Sequence, residues 1–116
     1  MILVIGAEAS GKRTFVESLG YTKKQMANGV LDDRAVLHHL QDLVAKDAEN
    51  ASDLLPALLE KDVVICNEVG SGVIPVVESE RVAREATGRL CVQLAQRATA
   101  VVRLVCGIPS VIKGTL

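Results

Sequence analysis

Two hydrophobic rhythms alternate along this chain. Residues 2–6 (Ile-Leu-Val-Ile-Gly) are an unbroken apolar run closed by glycine, the pattern of a short strand buried on both faces. Residues 11–19 change to helical spacing, with Phe15, Val16 and Leu19 on one side and Gly20 as the stop. Residues 20–33 are polar and turn-rich, with Asn28-Gly29 and Asp32-Asp33, and read as a loop. Residues 35–44 begin as an apolar run and continue with Leu37, Leu40, Leu43 and Val44 at helical spacing. A short strand turning into a helix satisfies both patterns.

Residues 52–61 read as a helix capped by Ser52 or Asp53, with Pro56 near its first turn, where proline is tolerated. Residues 62–67 (Asp-Val-Val-Ile-Cys-Asn) are the clearest internal strand, and the glycine-rich stretch 70–75 follows as a loop. The longest periodic segment is 77–98, where Val82, Ala83, Ala86, Leu90, Cys91, Leu94, Ala95 and Ala98 recur every three or four positions. Residues 100–106 are a further strand, ended by Gly107. Strands alternating with helices predict an α/β fold. Its sheet is mainly parallel, with right-handed crossovers and helices on both faces.

At 116 residues the chain has the size of one domain, spanning 1–116. Its 13 basic and 14 acidic residues leave a net charge of −1, which provides no bulk attraction for nucleic acid or anionic lipid. Phe15 and Tyr21 are the only aromatic residues, too few to build a base-stacking surface. No apolar run approaches the ~20 residues needed to span a bilayer. The apolar start lacks the basic segment of a signal peptide, so a cytoplasmic location is expected. Cys66, Cys91 and Cys106 are odd in number, widely spaced and set in apolar stretches. They are expected to be reduced core residues rather than zinc ligands or disulfides.

In parallel sheets, ligands bind beyond the carboxyl ends of the strands. The turn after the first strand, Gly6-Ala7-Glu8-Ala9-Ser10-Gly11-Lys12-Arg13-Thr14, matches the phosphate-binding pattern G-x-x-x-x-G-K up to its lysine. The glycines let backbone N–H groups close around phosphate oxygens, and the following helix adds its positive end. Lys12 supplies a mobile cation. Arg13 stands where a magnesium-binding Ser or Thr usually follows, and Thr14 comes one position late, a rotation of about 100° on a helix. Glu68, just past the strand at 62–67, is a candidate magnesium-orienting carboxylate; the plainer alternative is a carboxylate paired locally. His38 and His39 are candidate nucleophiles or bases, against a plainer reading with one histidine in the core and one exposed.

The segment Asn67-Glu68-Val69-Gly70-Ser71-Gly72-Val73-Ile74-Pro75 is more specific than the lysine loop. Together with Glu80-Arg81, Arg84-Glu85, Gly88-Arg89, Leu94-Ala95 and Cys106-Gly107-Ile108-Pro109, it resembles the bifunctional adenosylcobinamide kinase/adenosylcobinamide-phosphate guanylyltransferase family of cobalamin biosynthesis. The resemblance spans residues 1–19 and 62–114. It implies a P-loop NTPase (RecA-like) three-layer fold, reduced in size, since family members are longer between the first helix and residue 62. It also implies phosphorylation of a cobinamide hydroxyl by ATP or GTP, with Mg²⁺, and guanylylation through a histidine–GMP intermediate. The implied partners are nucleotide and corrinoid small molecules and further copies of the chain. Within the resemblance, His38-His39 either match the family's histidine motif or lie on its acidic strand with the histidine segment deleted. The need for an apolar strand favours the second placement.

Overall fold

The computed structural model describes residues 1–68 and 77–116, so the expected glycine-rich loop at 70–75 lies outside the described residues. Six strands form one sheet in the order β2-β3-β4-β1-β5-β6. They are β1 (Ile2–Gly6), β2 (Met26–Asn28), β3 (Val36–His38), β4 (Val63–Asn67), β5 (Ala100–Val105) and β6 (Ile108–Gly114). The first five run parallel and β6 is antiparallel to β5. The α-helices are α1 (Lys12–Ser18), α2 (Leu40–Ala45), α3 (Leu55–Leu59) and α4 (Glu78–Arg97).

β1 lies between β4 and β5, with Val4 opposite Ile65 on one side and Val102 on the other. A strand flanked by parallel neighbours and covered on both faces must be apolar at every position. Successive residues point to opposite faces, and the core divides accordingly. Val4, Ile65, Val102 and Leu104 pack with Val16 of α1. Leu3, Val64 and Val101 pack on the other face with Leu40 and Val44 of α2, Leu58 of α3, and Leu90 and Leu94 of α4. Helix layers enclose the sheet, which is the expected α/β three-layer arrangement on a reduced scale. α4 buries Ala86, Leu90 and Leu94, spaced by one helical turn, but Val82 of the expected stripe is 39 % exposed.

The structure corrects the sequence reading in four places. The expected loop at 20–33 contains β2, because pairing with β3 buries Met26 and Ala27. The tail contains β6, an exposed edge strand joined to β5 by the two-residue turn Cys106–Gly107. Both turn residues have positive φ, 51° and 77°, as a tight hairpin requires. Pro109 is tolerated there because β6 is an edge. The expected helix at 52–61 is a 3-10 segment, Ala48–Leu54, running into α3. The cap residue is Leu54, without a side-chain cap bond, rather than Ser52 or Asp53. Finally, Cys66 is buried and Cys91 partly so, but Cys106 is exposed at the hairpin tip.

Candidate functional site

The carboxyl ends of β1, β3 and β4 lie side by side in the sheet. The segment from β1 into α1 folds over them and frames a cavity of about 420 Å³. Residues 8–14 line it together with His38, His39 and Asn67. Tertiary structure thus gathers the lysine loop and both histidines into one site. A larger groove, about 520 Å³, runs between Ala48–Leu54 and α4, beside Ala51, Ala86 and Leu90. It flanks the sheet instead of capping its strand ends, where parallel sheets bind ligands.

The loop is tightly wound. A Cβ on Gly6 would lie 2.5 Å from Ser10 Oγ and 2.8 Å from the Leu104 carbonyl oxygen, so only glycine fits. The Ser10 N–H donates to Ala7 O at 3.2 Å, and Ala9 and Gly11 take left-handed backbone angles, φ 58° and 94°. Lys12 is only 5 % exposed, and its ammonium donates to Ala7 O at 2.6 Å. An ammonium carries three donors, so the turn holds Lys12 in place with N–H groups to spare. Burial lowers the Lys12 pKa from its ordinary value, with Glu8 and Glu68 among the groups opposing that shift. An anion in the cavity would relieve the same desolvation.

Ser10 is 7 % exposed, and its hydroxyl has no hydrogen-bond partner among the described residues. A buried unpaired hydroxyl costs about 1–3 kcal/mol. The hydroxyl packs inside the loop against Gly6, where a Cβ would come within 2.5 Å of it.

Arg13 and Thr14 are both exposed, and both line the cavity. Glu68 does something different. Its backbone N–H donates to Gly6 O at 2.9 Å, tying β4 to β1. Its carboxylate accepts from Arg103 Nε and, at 3.1 Å, from Arg103 Nη2. At the two positions that serve Mg²⁺ in the usual pattern, the chain therefore carries the Arg13 cation, which cannot ligate a metal, and the Glu68 carboxylate, already paired with Arg103. Among the described residues, no group of three or more His, Cys, Asp or Glu side chains converges. This donor set does not fit a protein-built magnesium site.

His38 ends β3 and His39 follows in a left-handed conformation, φ 59°. Their rings stack at 3.6 Å. Burial first, then the neighbouring His39, Arg13 and Lys12, push the His38 pKa down to about 4. The imidazole is neutral at pH 7, the form in which a histidine nitrogen can act as a nucleophile. His39 Nδ1 is hydrogen-bonded to Asn28 Oδ1, which joins β2 to the site.

Sequence reasoning missed Asn28, Gln41 and Arg103 as site-shaping residues. Gln41 Oε1 accepts the Asn67 N–H at 3.1 Å and fixes the end of β4. Only Arg103 left a sequence signal, as the one charge in an otherwise apolar strand.

The profile of the family described as cobinamide kinase / cobinamide phosphate guanyltransferase matches residues 21–112. The phosphate-loop residues 6–14 lie outside that span, so their geometry is an independent observation. No curated protein sequence matches the chain. No helix among the described residues is long and apolar enough to cross a membrane.

Proposed function

The chain belongs to the cobinamide kinase / cobinamide phosphate guanyltransferase family, and we propose that it acts as a nucleotide-dependent phosphotransferase on adenosylcobinamide. The observation that carries this reading is the buried Lys12 ammonium, held by Ala7 O with N–H groups to spare, in a loop that only glycine at position 6 permits and that lines the cavity at the strand ends. Such a loop suits the phosphates of ATP or GTP. Gly6, Ala7, Ala9, Ser10 and Gly11 supply its backbone, and Lys12, Arg13 and Thr14 its polar side chains.

In the kinase step, a cobinamide hydroxyl oxygen attacks the γ-phosphorus, its proton passes to solvent, and the bond from the γ-phosphorus to the bridging β-phosphate oxygen breaks, releasing the nucleoside diphosphate. Lys12 and Arg13 stabilise the charge that moves onto the departing diphosphate. For the guanylyl step, the neutral His38 imidazole, at the end of β3 and standing in for the family's histidine segment, attacks the α-phosphorus of GTP and pyrophosphate leaves. The cobinamide phosphate then takes the guanylyl group and His38 is regenerated. His38 is favoured over His39 because His39 Nδ1 is already bonded to Asn28 Oδ1.

A second reading, nucleotide binding with little turnover, draws on the pairing of Glu68 with Arg103 and on Arg13 at the hydroxyl position. Both readings place the protein in the cytoplasm as a homo-oligomer. One experiment tests them. The protein is incubated with γ-labelled ATP or GTP and adenosylcobinamide, alongside a nucleotide-dependent thermal shift. Label moving to the corrinoid supports the transferase. A thermal shift without transfer supports the binding module, and the absence of both signals overturns the phosphate-site reading.

A further inference from the structure

The phosphate loop touches a part of the chain almost a hundred residues away. The tip of the β5–β6 hairpin reaches it, and the Gly107 N–H donates to the Ser10 carbonyl oxygen at 2.8 Å. The two backbones are in van der Waals contact, since a Cβ placed on Gly11 would lie 3.1 Å from Gly107 Cα. Just below, Leu104 O crowds the same loop at Gly6. β5 and its hairpin turn therefore meet the loop at both ends, at Gly6 and at Ser10–Gly11.

The hairpin is not a free flap. Lys113, near the end of β6, donates from Nζ to Ala95 O and Gln96 O at the carboxyl end of α4, both at 2.9 Å. The tip is formed by the left-handed pair Cys106 and Gly107. A Cβ on Gly107 would meet nothing within 4 Å. Substitution there therefore acts first through the backbone angle, φ 77°.

We infer that the Cys106–Gly107 turn is a brace, with Gly107 a positioning residue that holds Ser10 and Gly11 in the shape that receives phosphate. The inference rests on the phosphate-site reading above. A loop without the brace keeps Lys12 and its glycines but samples more backbone states, and ordering them on binding lowers affinity. Gly107 matters because its positive φ aims its N–H at Ser10 O. A β-branched residue strongly disfavours that angle, whereas asparagine tolerates it.

The test uses the full chain with two substitutions, Gly107→Val and Gly107→Asn. ATP, GTP and inorganic tripolyphosphate are titrated against each, and amide hydrogen exchange is followed without ligand. Gly107→Val is expected to weaken all three ligands about tenfold, the effect of a conformational penalty of the usual left-handed size. It should speed exchange at Ser10 and Gly11 while leaving Leu3 and Val4 protected. Gly107→Asn should restore affinity to within about twofold of the wild type. Wild-type affinity and loop exchange in Gly107→Val would overturn the brace and leave the phosphate site standing. Equal loss in both variants, with exchange rising throughout β1, would also overturn it, because the turn would then serve general stability. If the wild-type protein binds none of the three ligands, the phosphate-site reading fails and the brace fails with it.

Discussion

Arg103 of β5 grips the Glu68 carboxylate at the end of β4, with Nη2 to Oε2 at 3.1 Å, across the strand that feeds the phosphate loop. A carboxylate held by a guanidinium fork is a poor metal ligand, because its charge and lone pairs are already used. Replacing Arg103 with Met should free Glu68 and make nucleotide affinity respond more steeply to Mg²⁺. Titration of ATP at several Mg²⁺ concentrations measures this. An identical response in wild type and variant would show that the ion pair does not govern the metal.

Lys12 is the buried cation of the loop, so Lys12→Ala should be the most damaging single change to binding. Loss of one buried charge-assisted contact costs about 1.5–3 kcal/mol, or roughly tenfold or more in Kd. Calorimetric titration with ATP and GTP reads the change directly. Unchanged affinity would remove Lys12 from the site.

Arg13 presents a fixed cation where a neutral hydroxyl serves the metal in the usual pattern. The wild-type protein should therefore bind nucleotide with little help from Mg²⁺, and Arg13→Ser should raise that dependence. A strong Mg²⁺ requirement in the wild type, unaffected by Arg13→Ser, would reverse the assignment and point back to Glu68.

His38 sets an acid limit. Its folded pKa, about 4, lies below the ordinary value of 6.5, so below pH 6.5 the unfolded chain binds the extra proton more readily. Stability from the neutral ring is present above pH 6.5 and is lost as pH falls toward 4. The His38 ring proton resonance should titrate near pH 4, and denaturant midpoints should decline across this window less steeply in His38→Gln. A titration midpoint near 6.5 would contradict the site's electrostatics and weaken His38 as the neutral nucleophile.

β6 leaves Ile108 68 %, Val111 47 % and Ile112 58 % exposed on an open sheet edge. Apolar residues on an unpaired edge favour strand pairing between molecules. Sedimentation at high micromolar concentration should show self-association, and lysines at positions 111 and 112 should shift it toward monomer. A purely monomeric wild type under those conditions would exclude assembly through this edge.

Read from its own residues, the chain specifies β1, β4, β5, α4 and the lysine loop, because each is announced by a continuous local pattern. Apolar runs closed by a turn, a stripe at helical spacing, and glycines set around Lys12 need no distant partner to be recognised. The family resemblance was also legible there, in residues near 67–75 and 106–109. Tertiary structure alone decided the rest, because it depends on residues far apart in sequence. Met26 and Ala27 become a strand only by pairing with Val36 and Leu37. Cys106 hid a hairpin turn that an asparagine in its place would have signalled. Glu68 reads from the sequence either as a magnesium-orienting carboxylate or as a locally paired one, and its pairing with Arg103, 35 positions later, exists only in the folded chain. Ser10 shows its unpaired hydroxyl, and Gly11 its contact with Gly107, only once the loop is folded against β5. Local pattern determined which segments could frame a phosphate site, and long-range packing determined which of their groups remain free to act.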